Sequence, residues 1–354
     1  MSFNINNLVK ENIKSLAPYS SARDEFSGEA NIFLDANENS LGSPLSEDYT
    51  RYPDPHQRAL KQELAKIKQV LPENIFLGNG SDECIDLLYR CFCQSQKDNV
   101  IICPPTYGMY EVSANINDVE IRKAQLTPDF QLDLASIKAN IDNNTKIIWI
   151  CSPNNPSGNL LKRESILSIL NDFQGLVVVD EAYIDFANQE SFTQQLAQYP
   201  NLVVMQTFSK AWGMAGLRLG MAFASKEIIS ILDRVKPPYN INQVTQQLAL
   251  EALANWDTVK KYTVELIALR NDLASNLEKI PLVKKIHPSD ANFLLVEVTD
   301  AQSIYDQLLQ NKIVVRDRHK VILCDNCLRL TVGTKEENNA LEQSLKQIRT
   351  VASN

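Results

Sequence analysis

The sequence predicts an α/β fold: a large domain on a mostly parallel sheet sandwiched by helices, with a smaller α+β domain beside it. Three observations predict it. Short, β-rich, almost unbroken apolar runs recur between residues 74 and 224, as expected of strands covered on both faces. Stretches with apolar residues at helical spacing separate them. After Pro237 and Pro238 the alternation stops, and a long helical stretch leads into a second group of strands.

In chain order, residues 1–46 are irregular, and 34–44 read as an extended loop. A helix follows Tyr52-Pro53-Asp54-Pro55, with Leu60, Leu64, Ile67 and Leu71 on its apolar face. Strands are expected at 74–77, 100–103, 146–151, 176–179, 202–206 and 219–224. Pro237 and Pro238 can continue neither a helix nor a central strand, so the large domain is placed at 47–240. Tyr262, Leu266, Leu269, Leu273, Leu277 and Ile280 form one apolar stripe, giving a long interdomain helix over 241–280. Residues 281–354 supply strands at 292–298, 313–316 and 328–332 and a closing helix from about Glu336. With 1–46 they make the small domain.

A formal charge of -8 argues against nucleic acid or an anionic membrane as the main partner. Small molecules are the expected partners, and an anionic one must be held by specific arginines. The seven cysteines are scattered, and neither a signal-like N-terminus nor an apolar run of membrane-spanning length is found; the expectation is a cytoplasmic protein with reduced thiols. Cys324 and Cys327 form a lone C-x-x-C, and His56, His287 and His319 add no ligand pattern, so no metal is expected.

In an open α/β sheet, ligands collect at the carboxyl ends of the strands, and four expected strands run into polar loops there. Leu77-Gly78-Asn79-Gly80-Ser81-Asp82-Glu83 precedes a helix. Its glycines and free amides suit a phosphate, provided the Asp82 carboxylate turns away; a helix cap accounts for the same residues. Ser152-Pro153-Asn154-Asn155-Pro156-Ser157-Gly158 is accounted for by a turn alone, and Asp180, before Glu181-Ala182-Tyr183, by a cap. The fourth loop, Thr207-Phe208-Ser209-Lys210 through Arg218, is different. Its hydroxyls and arginine can hold a phosphate while the lysine amine reaches a nearby carbonyl. No nucleotide-binding glycine motif competes.

In this order, Asn155-Pro156-Ser157-Gly158, Asp180-Glu181-Ala182-Tyr183 and Ser209-Lys210 with Arg218 resemble the fold-type I pyridoxal-phosphate aminotransferases, the aspartate aminotransferase superfamily. The resemblance implies a seven-stranded-type sheet, pyridoxal 5'-phosphate as cofactor, and a role for each residue. Lys210 matches the lysine that holds the cofactor as a Schiff base and later shuttles a proton. Asp180 matches the carboxylate that keeps the pyridine nitrogen protonated. Asn155 and Tyr183 match the hydrogen-bond partners of the phenolic oxygen, and Tyr107, in Pro104-Pro105-Thr106-Tyr107, the aromatic stacked on the ring. Ser81, Asp82, Thr207, Ser209 and Arg218 match the phosphate site.

At the chain ends the resemblance narrows to the histidinol-phosphate aminotransferase family. It is carried by Pro18-Tyr19-Ser20-Ser21-Ala22-Arg23, Leu34-Asp35-Ala36-Asn37-Glu38-Asn39, Arg51-Tyr52-Pro53-Asp54, Ser289-Asp290-Ala291-Asn292-Phe293, Val315-Arg316-Asp317 and Cys327-Leu328-Arg329-Leu330-Thr331-Val332-Gly333-Thr334. Only Asn39-Ser40-Leu41-Gly42 departs, lacking a proline common in that loop. The resemblance implies a ping-pong exchange of L-histidinol phosphate and 2-oxoglutarate for imidazole-acetol phosphate and L-glutamate, in histidine biosynthesis. Arg329 matches an arginine that binds an α-carboxylate. Histidinol phosphate offers a phosphate instead, and Arg316 would double the cationic site to suit both anions. Tyr19 and Asn37 complete the substrate pocket, and Tyr52 matches a tyrosine contributed by the neighbouring subunit of a homodimer with shared sites. Threonine-phosphate decarboxylases and aromatic aminotransferases share most of these motifs. A pyridoxal-phosphate-binding regulator would need a DNA-binding arm, for which residues 1–46 are too irregular.

Overall fold

The computed structural model describes residues 3–19 and 31–348. Its larger sheet contains β1 (Ile75–Asn79), β2 (Asn99–Ile102), β3 (Glu120–Lys123), β4 (Thr145–Cys151), β5 (Leu176–Asp180), β6 (Leu202–Thr207) and β7 (Leu219–Ala224). The seven strands lie in the order β1-β7-β6-β5-β4-β2-β3. From β3 to β6 all pairs are parallel, and β7 runs antiparallel between β6 and β1. Alternate residues point into different cores: Ile148, Ile150, Val177, Val179 and Val204 on one face, Ile147, Trp149, Val178, Val203 and Met205 on the other. That double burial is why the strands read as unbroken apolar runs.

The smaller sheet is antiparallel: β8 (Val283–Ile286), β9 (Phe293–Val298), β10 (Arg316–Asp317) and β11 (Cys327–Thr331) in the order β10-β11-β9-β8. Leu294, Val296, Leu328 and Leu330 pack with Leu273, Leu277, Ile304 and Leu341 in a core of their own. Leu295 and Cys327, on the opposite face, join the core of the large sheet.

Several elements differ from the sequence expectation. β3 and β8 fall outside it, because both carry exposed charged residues, Glu120 and Lys123 in one and Lys284 and Lys285 in the other, as edge strands do. β10 is only two residues long. The helix expected through Leu71 ends at Lys68, leaving Leu71 exposed. Segment 241–280 is two helices, Gln243–Ala254 and Trp256–Leu277, with a break at Asn255, where Trp256 stacks on Trp212 at 4.9 Å. Tyr262 is exposed; the second helix buries Val259 against the large sheet's core and Leu273 and Leu277 against the small one's. Its buried side therefore turns along its length. The N-terminal residues also depart. Leu8, Val9 and Ile13 bury against the large unit with Ile85 and Ile228, and Arg234 donates to the Ile13 carbonyl at 3.2 Å.

One close approach fixes the end of this sheet. Gly220, paired with Thr207 and Gly78, lies under the start of the helix Gly80–Phe92. A Cβ there would stand 2.3 Å from the Gly80 carbonyl carbon and 2.4 Å from the Ser81 nitrogen. These are backbone atoms that no rotamer change can clear. Gly220→Ala should therefore lower unfolding free energy by roughly 1–3 kcal/mol, measured by denaturant titration. Unchanged stability would show that the helix start can shift freely.

Candidate active site

The strand ends of the large sheet bring the expected residues to one edge. Asp180, the last residue of β5, is 3% exposed. Its Oδ1 accepts from the Ala182 N–H at 3.1 Å and its Oδ2 from the Tyr110 hydroxyl at 2.6 Å. Burial raises its pKa, against the hydrogen bonds from Tyr110 and Ala182. Tyr110 is fully buried, stacked on Trp149 at 4.9 Å and edge-on to Tyr107 at 5.6 Å. Sequence reasoning missed it because a tyrosine at helical spacing reads as core.

Lys210 follows β6 and is half-buried, its Nζ 5.5 Å from the centre of the Tyr183 ring. Burial, then the charge of Arg329, pushes its pKa below the usual lysine range, while Asp180 pulls the other way. The Tyr183 hydroxyl accepts from Asn155 Nδ2 at 3.5 Å, and Asn155 Oδ1 accepts from Arg329 at 2.5 Å. Arg329 also lies over the Phe293 ring at 5.2 Å. Asn155 is thus a direct link between the Tyr183 loop and β11. The Ser209 N–H donates to Thr207 Oγ1 at 3.0 Å.

Arg218 is in the left-handed region, φ 53°, just before β7. Its carbonyl accepts from the Gly80 N–H at 2.7 Å. Its guanidinium lies over Gly80, φ +70°, where a Cβ would be 2.5 Å from Nη2. The amides of Ser81 and Asp82, in the first turn, have no intrahelical acceptors. The Asp82 carboxylate accepts from Arg218 at 3.3 Å and Tyr107 at 3.2 Å. The phosphate reading required this carboxylate to turn away from the anion; instead it sits on the arginine that would bind one.

These groups fit pyridoxal 5'-phosphate. Among the described residues, the buried Asp180 carboxylate is hydrogen-bonded by neutral donors alone, which suits a protonated ring nitrogen as its partner. Gly80 and the helix start offer free amides to an anion, and Arg218 could add its guanidinium where an anion displaces the Asp82 carboxylate from it. Arg316 lies directly opposite Arg329 across the β10–β11 pair. Tyr19, Asn37 and Tyr52 are exposed, and among the described residues none forms a hydrogen bond, ion pair or ring contact with this cluster. Tyr52 instead stacks on Tyr239 at 4.4 Å. Of the Pro18–Arg23 motif, residues 20–23 lie outside the described residues. Cys324 and Cys327 are buried free thiols. No group of three His, Cys, Asp or Glu side chains suited to a metal occurs among the described residues.

Comparison with known proteins agrees with this geometry. The family described as aminotransferase class I and II matches residues 32–345. A histidinol-phosphate aminotransferase of Cytophaga hutchinsonii is 54% identical, covering 98% of this chain and 99% of its own. The crystal structure of the histidinol-phosphate aminotransferase from Clostridium acetobutylicum superposes with a TM-score of 0.77 at 27% identity, over 84% of this chain and 90% of that one. The fold is also that of the Sinorhizobium meliloti enzyme solved with pyridoxal-5'-phosphate, with a TM-score of 0.78 at 24% identity, over 88% and 89% of the two chains. Matched along nearly its whole length, the chain belongs to the class I and II aminotransferases and, among them, to the histidinol-phosphate aminotransferases.

Proposed function

We propose that the protein exchanges the amino group of L-histidinol phosphate with 2-oxoglutarate, giving imidazole-acetol phosphate and L-glutamate, in two reversible half-reactions of a ping-pong sequence. The carrying observation is that Asp180, buried at the end of β5, and Lys210, after β6, lie at one edge of the large sheet, where Asn155 links Tyr183 to Arg329 of the small sheet's arginine-bearing strand pair. Pyridoxal 5'-phosphate, when bound, supplies the electron sink that takes up charge as a proton leaves the substrate carbon. Lys210 would hold it covalently, Asp180 would face its ring nitrogen, and Tyr107 its ring. Asn155 and Tyr183 would meet its phenolic oxygen, and Ser81, Asp82, Thr207, Ser209 and Arg218 its phosphate. A free Lys210 amine, its proton affinity lowered by burial, would take the proton from the amino donor's carbon in one half-reaction and deliver one to the acceptor's carbon in the other. Arg329 and Arg316 bind the substrate's anionic group, and Tyr19 and Asn37, unbonded to this cluster among the described residues of one chain, would reach the pocket only by movement of their segments or from a neighbouring chain.

A screen of amino donors against 2-oxoglutarate tests the reading. L-Histidinol phosphate should turn over far faster than tyrosine or phenylalanine, and threonine phosphate should release no carbon dioxide; either reversal assigns a sibling activity. Lys210→Ala should lose turnover together with the visible absorbance of covalently bound cofactor. A variant keeping both would remove Lys210 from its role.

Asp180 and Tyr110 make a linked case. Asp180→Ala should reduce turnover by several orders of magnitude even with saturating cofactor. Tyr110→Phe removes a donor to the charged carboxylate, so the Asp180 pKa rises further. The acid limb of kcat/KM should then move to higher pH; a limb that stays in place argues against this assignment.

We also read the protein as a cytoplasmic homodimer. Ile32, Leu34, Leu41 and Leu45 stand 64% to 98% exposed, which supports a partner covering that segment. All seven cysteines are free thiols, as in a reducing compartment. Tyr52 then serves the neighbour's site, and mixing the inactive Lys210→Ala and Tyr52→Ala proteins should restore about a quarter of wild-type activity, since half the dimers are mixed and half their sites are whole. No recovery after verified subunit exchange would place Tyr52 outside the neighbour's site.

A further inference from the structure

β10 and β11 set Arg316 directly opposite Arg329, and like charges directly opposite each other destabilise a strand pair. The pairing continues one residue further, the Arg318 N–H donating to the Cys327 carbonyl at 3.0 Å. Arg318 therefore returns to the face that carries Arg316 and Arg329. That face is the one from which Arg329 reaches Asn155. Asp317, between the arginines, projects the other way, and His319 Nδ1 takes its carboxylate at 2.7 Å. The guanidinium of Arg318 is half-buried and donates to a neutral group, the Asp317 carbonyl, at 3.4 Å. Burial, then the charges of Arg329 and Arg316, push its pKa down to about 10. Among the described residues no carboxylate forms an ion pair with it. A partly buried cation repelled by two others is costly, and an anion with several acceptor oxygens would relieve that cost.

We propose that Arg318 is a third arginine of the substrate's anion site and that it favours a phosphate over a carboxylate. A phosphate monoester carries about −1.5 to −2 charge at neutral pH and three acceptor oxygens, whereas one bidentate arginine satisfies both oxygens of a carboxylate. Arg318 thus supplies donors that only the phosphate uses. The inference rests on the proposed function and deepens its specificity. The test compares wild type, Arg318→Gln and Arg318→Lys for KM with L-histidinol phosphate and with L-glutamate, and for inhibition of glutamate turnover by inorganic phosphate. Arg318→Gln should raise KM for histidinol phosphate about tenfold, weaken phosphate inhibition similarly and move KM for glutamate much less. Arg318→Lys should recover part of the loss. A histidinol phosphate KM that stays within about twofold, or that rises equally with the glutamate KM, overturns the proposal, because a general packing defect would move both. Wild type is the separate arm: if it does not turn over histidinol phosphate, the functional reading falls first and this inference with it.

Discussion

Because apolar side chains cover both faces of the seven-stranded sheet, its polar chemistry is confined to the strand ends. The carboxyl ends of β1, β5 and β6 meet the beginning of β7, which runs the other way, so Thr207 pairs with Gly220 and Asn79 with Leu219. That register puts Arg218 beside the helix start at Gly80, and a slip of one residue would turn its side chain to the opposite face. Asp180 shows how far the confinement goes. Its carboxylate is almost wholly out of water and depends on a phenol from a neighbouring helix and one backbone amide.

The site also spans two cores. Lys210, Asp180 and Tyr183 come from the large sheet, and Arg329 and Arg316 from the small one. Asn155 touches both Tyr183 and Arg329. Nearby, the Leu160 N–H donates to Asp290 Oδ2 at 2.8 Å and the Asp290 N–H to the Gly158 carbonyl at 2.7 Å. The loop after β4 is therefore pinned to the small unit close to Asn155, which links Tyr183 and Arg329.

Much of this was legible in the sequence. Apolar runs revealed the buried strands, and the loops at their ends carried a lysine, a carboxylate and an arginine in an order that one cofactor chemistry accounts for. What stayed hidden shares a physical cause. β3 and β8 are edges that show charge to solvent, so they lack the apolar signal. The turning face of the helix Trp256–Leu277 follows from two cores that one stripe cannot encode. Tyr110 and Arg318 look ordinary in sequence. Only the fold shows that one donates to a buried carboxylate and the other faces two more arginines. Tyr52 and Asn37 stand out by motif, yet both are exposed, and Tyr52 stacks on Tyr239 rather than on the cluster's rings.

The charge of Arg329 helps hold the proton affinity of Lys210 down. A positive charge that lowers the affinity of an amine for protons does so only while it is unscreened. An anion placed on Arg329 would offset that charge, and a free amine there would then bind a proton more strongly. By linkage the relation is reciprocal: a protonated lysine favours the anion as much as the anion favours the proton. Anion binding at Arg329 and proton binding at a free Lys210 amine would thereby be tied through one guanidinium.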